Sequence, residues 1–156
     1  MFQIVYNICF HFGPKCIHLL EVREALESKA AALAAVNAEP GLVERLRSIL
    51  EAMFAAGARG KLDEVSHLDG QFHGTIVEAS GNPILTQLLS SLNLVLKNDR
   101  VAVFSLPDRL SRSLRDHLRI VAAIERRDPL AAQAALHEHF GSVLHDVESK
   151  TKESEA

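Results

Sequence analysis

Residues 109–147 read RLSRSLRDHLRIVAAIERRDPLAAQAALHEHFGSVLHDV, and this stretch decides the fold. An ideal helix turns about 100° per residue, so side chains three and four apart share a face. Leu110, Leu114, His117, Val121 and Ile124 fall on one such stripe, and Leu136, Phe140, Val143 and Val147 on a second. Between them Asp128-Pro129 ends one helix and caps the next. Two amphipathic helices joined by so short a turn must lie antiparallel.

The same reading extends to the N-terminal side. Breakers at Glu39-Pro40-Gly41, Gly57 to Gly60, Ser80-Gly81-Asn82-Pro83, Pro107 and Asp128-Pro129 divide residues 19–147 into six helical segments. The first carries Leu19, Val22, Leu26 and Leu33, and Pro40 suits the first position of the second, which carries Leu42, Leu46, Ile49, Leu50 and Met53. The third covers about residues 62–79. The leucine-rich fourth (Leu85, Leu88, Leu89, Leu92, Leu96) falters near Asn98-Asp99. Period-two alternation is confined to residues 2–10, which suit a short extended arm. The expected architecture is an all-α antiparallel bundle of six or seven helices, with an arm at 1–18 and a polar, fraying tail at 148–156.

Composition excludes several classes. Seventeen basic against twenty acidic residues give a net charge of −3, with no excess to neutralise a phosphate backbone. No apolar run reaches the ~20 residues needed to span a bilayer, and residues 1–12 lack the positive start and cleavage site of a signal peptide. No membrane partner and a cytoplasmic location are expected. Two cysteines make no disulfide scaffold.

The chain has eight histidines, and three fall on or beside apolar stripes. On the third helix Val65, Phe72 and Ile76 mark the inward face, and Asp69 and His73, four apart, fall within it. His117 occupies the middle of its stripe and His139 the edge of its own. Both lie eleven residues from Asp128, so in an antiparallel hairpin they sit at one height, roughly 16 Å from the turn. By the same count His67 and His145 point outward, and His137 lies further round than His139. A buried carboxylate needs a cationic partner or a metal. One Asp oxygen and three imidazoles suit zinc, nickel or another first-row divalent ion and leave positions open. Geometry alone leaves this reading beside that of hydrogen-bonded core histidines.

The stretches 19–27 (LLEVREALE), 69–73 (DGQFH), 79–83 (ASGNP) and 116–124 (DHLRIVAAI), continued to His139, resemble the FCD-type effector domain of bacterial GntR-superfamily transcription regulators. The resemblance implies a helical bundle with a divalent metal, zinc or nickel, at the floor of its cavity. It implies ligands at Asp69, His73, His117 and His139 and a small organic-acid effector bound to the ion. Arg23 matches the family's first-helix arginine and suits a carboxylate, with a salt bridge as its other reading. Arg100 and Arg115 are further candidates to assist. A homodimer is expected. The family usually has Glu where Asp116 stands. Eighteen residues ahead of Leu19 leave no room for a winged helix-turn-helix, which needs at least ~50, so DNA contact is expected only through a module absent from this chain.

Other constellations carry less. Cys9, His11, Cys16 and His18 match no zinc module, and a packed arm fits their apolar flanks better. Glu64 and His67 make a single Glu-x-x-His, where a di-iron bundle needs two. A mononuclear metal lyase or hydrolase is the competing function, but Glu78 at a helix end and Glu138 off its stripe are weak general bases. A metal-free adaptor with packed histidines is a third reading.

Overall fold

The computed structural model describes residues 14–95 and 97–155. Among them are seven helices and no strands: α1 (Pro14–Asn37), α2 (Leu42–Ala58), α3 (Leu62–Ala79), α4 (Pro83–Val95), α5 (Lys97–Phe104), α6 (Arg109–Glu125) and α7 (Pro129–Glu155). The all-α reading therefore holds. The leucine-rich fourth segment is two helices, α4 and the eight-residue α5. The expected arm at 2–10 lies outside the described residues. α1 begins at Pro14, within the stretch expected to be an arm, and α7 stays helical through Glu155, where polar composition suggested fraying.

Short polar devices set the boundaries. Asn82 Oδ1 accepts from the backbone N–H groups of Ile84 (3.0 Å) and Leu85 (3.3 Å), capping α4 with Pro83 at its first position. Asp128 Oδ1 does the same for Ala131 (2.9 Å) ahead of α7. Pro40 lies in the turn before α2 rather than opening it, because Gly41 adopts φ 86°, a left-handed conformation that a Cβ disfavours, and the helix begins after it.

α1 packs along α7 and α3, α6 lies between α7 and α2, and α5 rests on α3. The shared core holds Phe72, Ile76, Leu136, Phe140, Ile120, Ile124, Leu42, Leu46 and Met53, each essentially inaccessible. α1 approaches closely because its inner face carries Ala30, Ala31, Ala34 and Ala35, all at 0% exposure. That shifts its register from the expected stripe. Val22 is half exposed, Leu26 and Leu33 are only partly buried, and Leu20, Arg23 and Glu27 face inward. On α4, Leu85 and Leu89 are buried and Leu88 is half exposed.

Candidate functional site

Where α1, α3, α6 and α7 meet, the core turns polar. Asp69, His73, His117 and His139 are all buried there, at 5, 2, 0 and 3% exposure. The Asp69 and His73 pair stands on α3, one turn apart. His117 on α6 and His139 on α7 come level across the hairpin, with ring centroids 4.6 Å apart. Nitrogens of the three imidazoles lie within 4.8 Å of one another. Asp69 Oδ1 is 3.6 Å from His117 Nε2 and 3.8 Å from His73 Nε2. The outward histidines are outward here too: His67, His137 and His145 are exposed.

The three rings differ in how they are held. His73 Nδ1 lies 2.6 Å from Glu27 Oε2, and Glu27 Oε1 accepts from Arg23 Nε at 2.7 Å. His139 Nδ1 faces Asp116 Oδ2 at 3.6 Å, too far for a formed hydrogen bond, and Arg109 Nη2 approaches the same oxygen at 3.5 Å. His117 has no hydrogen-bond partner at either nitrogen. Its ring stacks on Phe72 with centroids 4.2 Å apart. Burial, aided by the nearby positive groups, holds its imidazolium form well below the usual pKa of 6.5, and burial also lowers His139. Neutral imidazoles with free lone pairs are the form that binds metal.

Glu27 was not foreseen. Burial alone raises its carboxyl, but Arg23 and His73 outweigh burial and hold it at about 2. The signal for it is the i,i+4 spacing to Arg23, masked by an alanine-rich helix whose stripe is ill defined. Also unforeseen is Arg109, the largest fully buried side chain. Its Nη1 donates to Ser142 Oγ (2.9 Å) and Asp146 Oδ2 (2.8 Å), its Nε to Ser113 Oγ (3.1 Å), and Arg112 adds a second cation on Asp146. Asp116 is partly buried, which by itself raises its carboxyl; the facing His139 and Arg109 reverse this and lower it.

A cavity of about 30 Å³ adjoins the histidines, with Arg23, Asp99 and Arg100 in its wall. Arg23 Nη2, Arg100 Nε and Asp99 Oδ2 are buried without partners. Arg100 is otherwise anchored by Asn93, through its side-chain oxygen and its carbonyl, both at 3.0 Å. Arg115, the third arginine expected at the site, is not there. It is exposed and lines an open surface groove with Phe54, Pro107 and Leu114, because it stands two residues before His117 and so points from the other side of α6. Of the Cys/His pattern, Cys9 and His11 lie outside the described residues; Cys16 is in the cavity wall, its thiol pushed up to about 11 by burial, and His18 is exposed. Glu64 is paired with Arg59 at 2.9 Å, away from any second Glu-x-x-His.

The bundle is that of a helical regulator domain. Streptococcus agalactiae GntR superposes with a TM-score of 0.70 and 27% identity, over 83% of this chain and 57% of that one. E. coli McbR/YncC shares the fold, with a TM-score of 0.78 at 20% identity, over 90% of this chain and 71% of that one. The chain belongs to the FCD domain family of GntR-type transcription regulators, its residues 18–142 matching the FCD domain. Among similar curated proteins, the Glc operon transcriptional activator of E. coli K12 is 33% identical over 150 residues, covering 89% of this chain and 59% of the activator. The Uxu operon transcriptional regulator of E. coli K12 is 32% identical over 145 residues (88% and 54%), and the transcriptional regulator LutR of Bacillus subtilis 31% over 130 (80% and 58%). The chain thus spans between half and three fifths of these relatives' length. They are named regulators rather than enzymes.

Proposed function

We propose that this chain is the effector-sensing part of a GntR-type regulator and recognises a small organic acid through a divalent ion, zinc or nickel, held by Asp69, His73, His117 and His139. The observation that carries this reading is His117: a fully buried imidazole with both nitrogens unpartnered, facing Asp69 and within reach of two more histidines. A buried polar group in that state costs about 1–3 kcal/mol unless something meets it. The donor set of three neutral imidazoles and one carboxylate fits a first-row divalent ion. Such an ion, when bound, would supply open positions for carboxylate oxygens.

The chain's own residues supply the rest of the recognition. Arg23 Nη2 and Arg100 Nε are unpartnered donors in the cavity wall, and burial strengthens their pull on an anion. The cavity of about 30 Å³ has room for one water-sized group, so a carboxylate enters only if the wall moves outward. Four residues of that wall, Asp99, Arg100, Val103 and Phe104, stand on the short α5, and others on α1, α3 and α7. Acid binding would therefore shift helices from both ends of the chain, the change a regulator passes to its DNA-binding portion. The enzyme reading lacks its base: Glu78 and Glu138 are both exposed.

The test is metal content and thermal shift. Purified protein should hold one ion per chain, and organic acids should raise the melting temperature only of metal-loaded protein. His117→Ala should abolish both. A variant that keeps one metal per chain overturns the assignment.

A further inference from the structure

Two strings of side chains run into the histidine cluster. One is Arg109–Asp116–His139, with separations of 3.5 and 3.6 Å. The other is Arg23–Glu27–His73, closed at 2.7 and 2.6 Å, with every side chain 4% exposed or less. A carboxylate at 2.6 Å from His73 Nδ1 makes that nitrogen the protonated one and leaves Nε2 aimed at Asp69. At the other end Arg23 is fixed by Glu27 and by the Phe140 ring 4.9 Å below it, with Nη2 unpartnered in the cavity wall. One buried carboxylate thus sets both the imidazole that would hold the ion and the guanidinium that would meet the acid.

We propose that Glu27 is the positioning residue that couples the two ligands of this site, so that acid captured by Arg23 tightens metal binding at His73, and the reverse. The inference rests on the function proposed above. Its physical path is charge sharing in a water-poor interior. When an acid anion engages Nη2, the guanidinium is partly neutralised and its hold on Glu27 weakens. The Glu27 charge then acts more fully on the Nδ1–H of His73, which makes Nε2 a stronger donor to the ion. Linkage requires the effect to be reciprocal.

Zinc affinity, measured by competition with a chromophoric chelator calibrated in the same buffers, tests this with acetate as the acid. Acetate should tighten zinc binding to the unmodified chain by at least about fivefold. In Arg23→Ala and in Glu27→Gln the enhancement should be at least about twofold smaller than in the unmodified chain, the remainder being the acid's own contact with the ion, and Glu27→Gln should also weaken zinc about 10- to 100-fold. A purely structural role for Glu27 would lower the melting temperature without changing the ratio of affinities with and without acetate. Ring nitrogen NMR of the metal-free unmodified chain supplies a second readout, independent of any variant's folding: His73 should carry its proton on Nδ1. A bare Nδ1, or an acetate enhancement preserved in Glu27→Gln, or none in the unmodified chain, overturns the coupling while the metal site stands. Failure of the unmodified chain to bind zinc overturns the proposed function and the coupling with it.

Discussion

Replacing His117 with leucine should make the metal-free protein more stable and the metal-bound state unattainable. His117 is at 0% exposure, and neither of its ring nitrogens has a partner. Each unmade bond in such a place costs about 1–3 kcal/mol, and an apolar group of similar size removes both. Against this stand a shape mismatch of about 1 kcal/mol and the lost stack on Phe72, whose centroid is 4.2 Å away, worth about another 1 kcal/mol. The balance favours His117→Leu by about 0–4 kcal/mol, with a midpoint of about 2. For a chain of 156 residues the midpoint raises the melting temperature by about 4–8 °C. Thermal unfolding followed by circular dichroism, in chelator and in excess zinc, reads both halves of the prediction. In chelator the variant should melt above the unmodified chain. Zinc at a thousand times its dissociation constant should stabilise the unmodified chain by about 4 kcal/mol and leave the variant unmoved. A variant that melts several degrees lower in chelator would show that His117 is an ordinary packed histidine, and the reasoning from its orphaned nitrogens would fail.

Acidification should destabilise the metal-free protein in two stages. His117 and His139 have folded pKa values below the usual 6.5, so their contribution is full above that value and lost as pH falls below it; His117→Leu should flatten this limb of a urea-midpoint profile. Glu27, held at about 2 against an ordinary 4.5, contributes about 3 kcal/mol that is present above 4.5 and lost towards pH 2, a limb that Glu27→Gln should lack. Arg109→Ala should cost about 3–5 kcal/mol in urea unfolding, since it opens a gap where the largest fully buried side chain stood, takes the guanidinium away from Asp116 and leaves Asp146 with Arg112 alone; a loss under 1 kcal/mol would contradict the network. Gly141→Ala, in mid-helix with nothing within 4 Å of the added carbon, should stabilise by about 0.5–1 kcal/mol.

Much of this molecule is written along the chain. The third, fifth and sixth stripes were readable because Val65, Phe72, Ile76, Val121, Ile124, Leu136 and Phe140 are large and regularly spaced, and a polar residue set among them can only be inward. Asp69, His73, His117 and His139 stand at such positions and are buried, and the equal spacing about Asp128 sets two of them at one height. Helix α1 resisted the same treatment. Its inward face is built of alanines, which flank the stripe on all sides and leave the phase to be chosen by weaker hydrophobes such as Val22, which turned out to be exposed.

What the sequence by itself determined is therefore local: helix ends from caps and breakers, and the buried face wherever bulky apolar residues recur at helical period. Tertiary structure alone decided which polar atoms of different helices come within bonding distance. That Glu27 reaches His73 across forty-six positions, that Arg109 is sealed beneath Asp146, and that Arg115 faces solvent while Arg23 and Arg100 share a cavity wall all depend on helix placement to within an ångström or two. Hydrophobic patterning fixes which face turns inward, because burial is non-directional; hydrogen bonds and ion pairs are directional and short, so only the packed arrangement selects them.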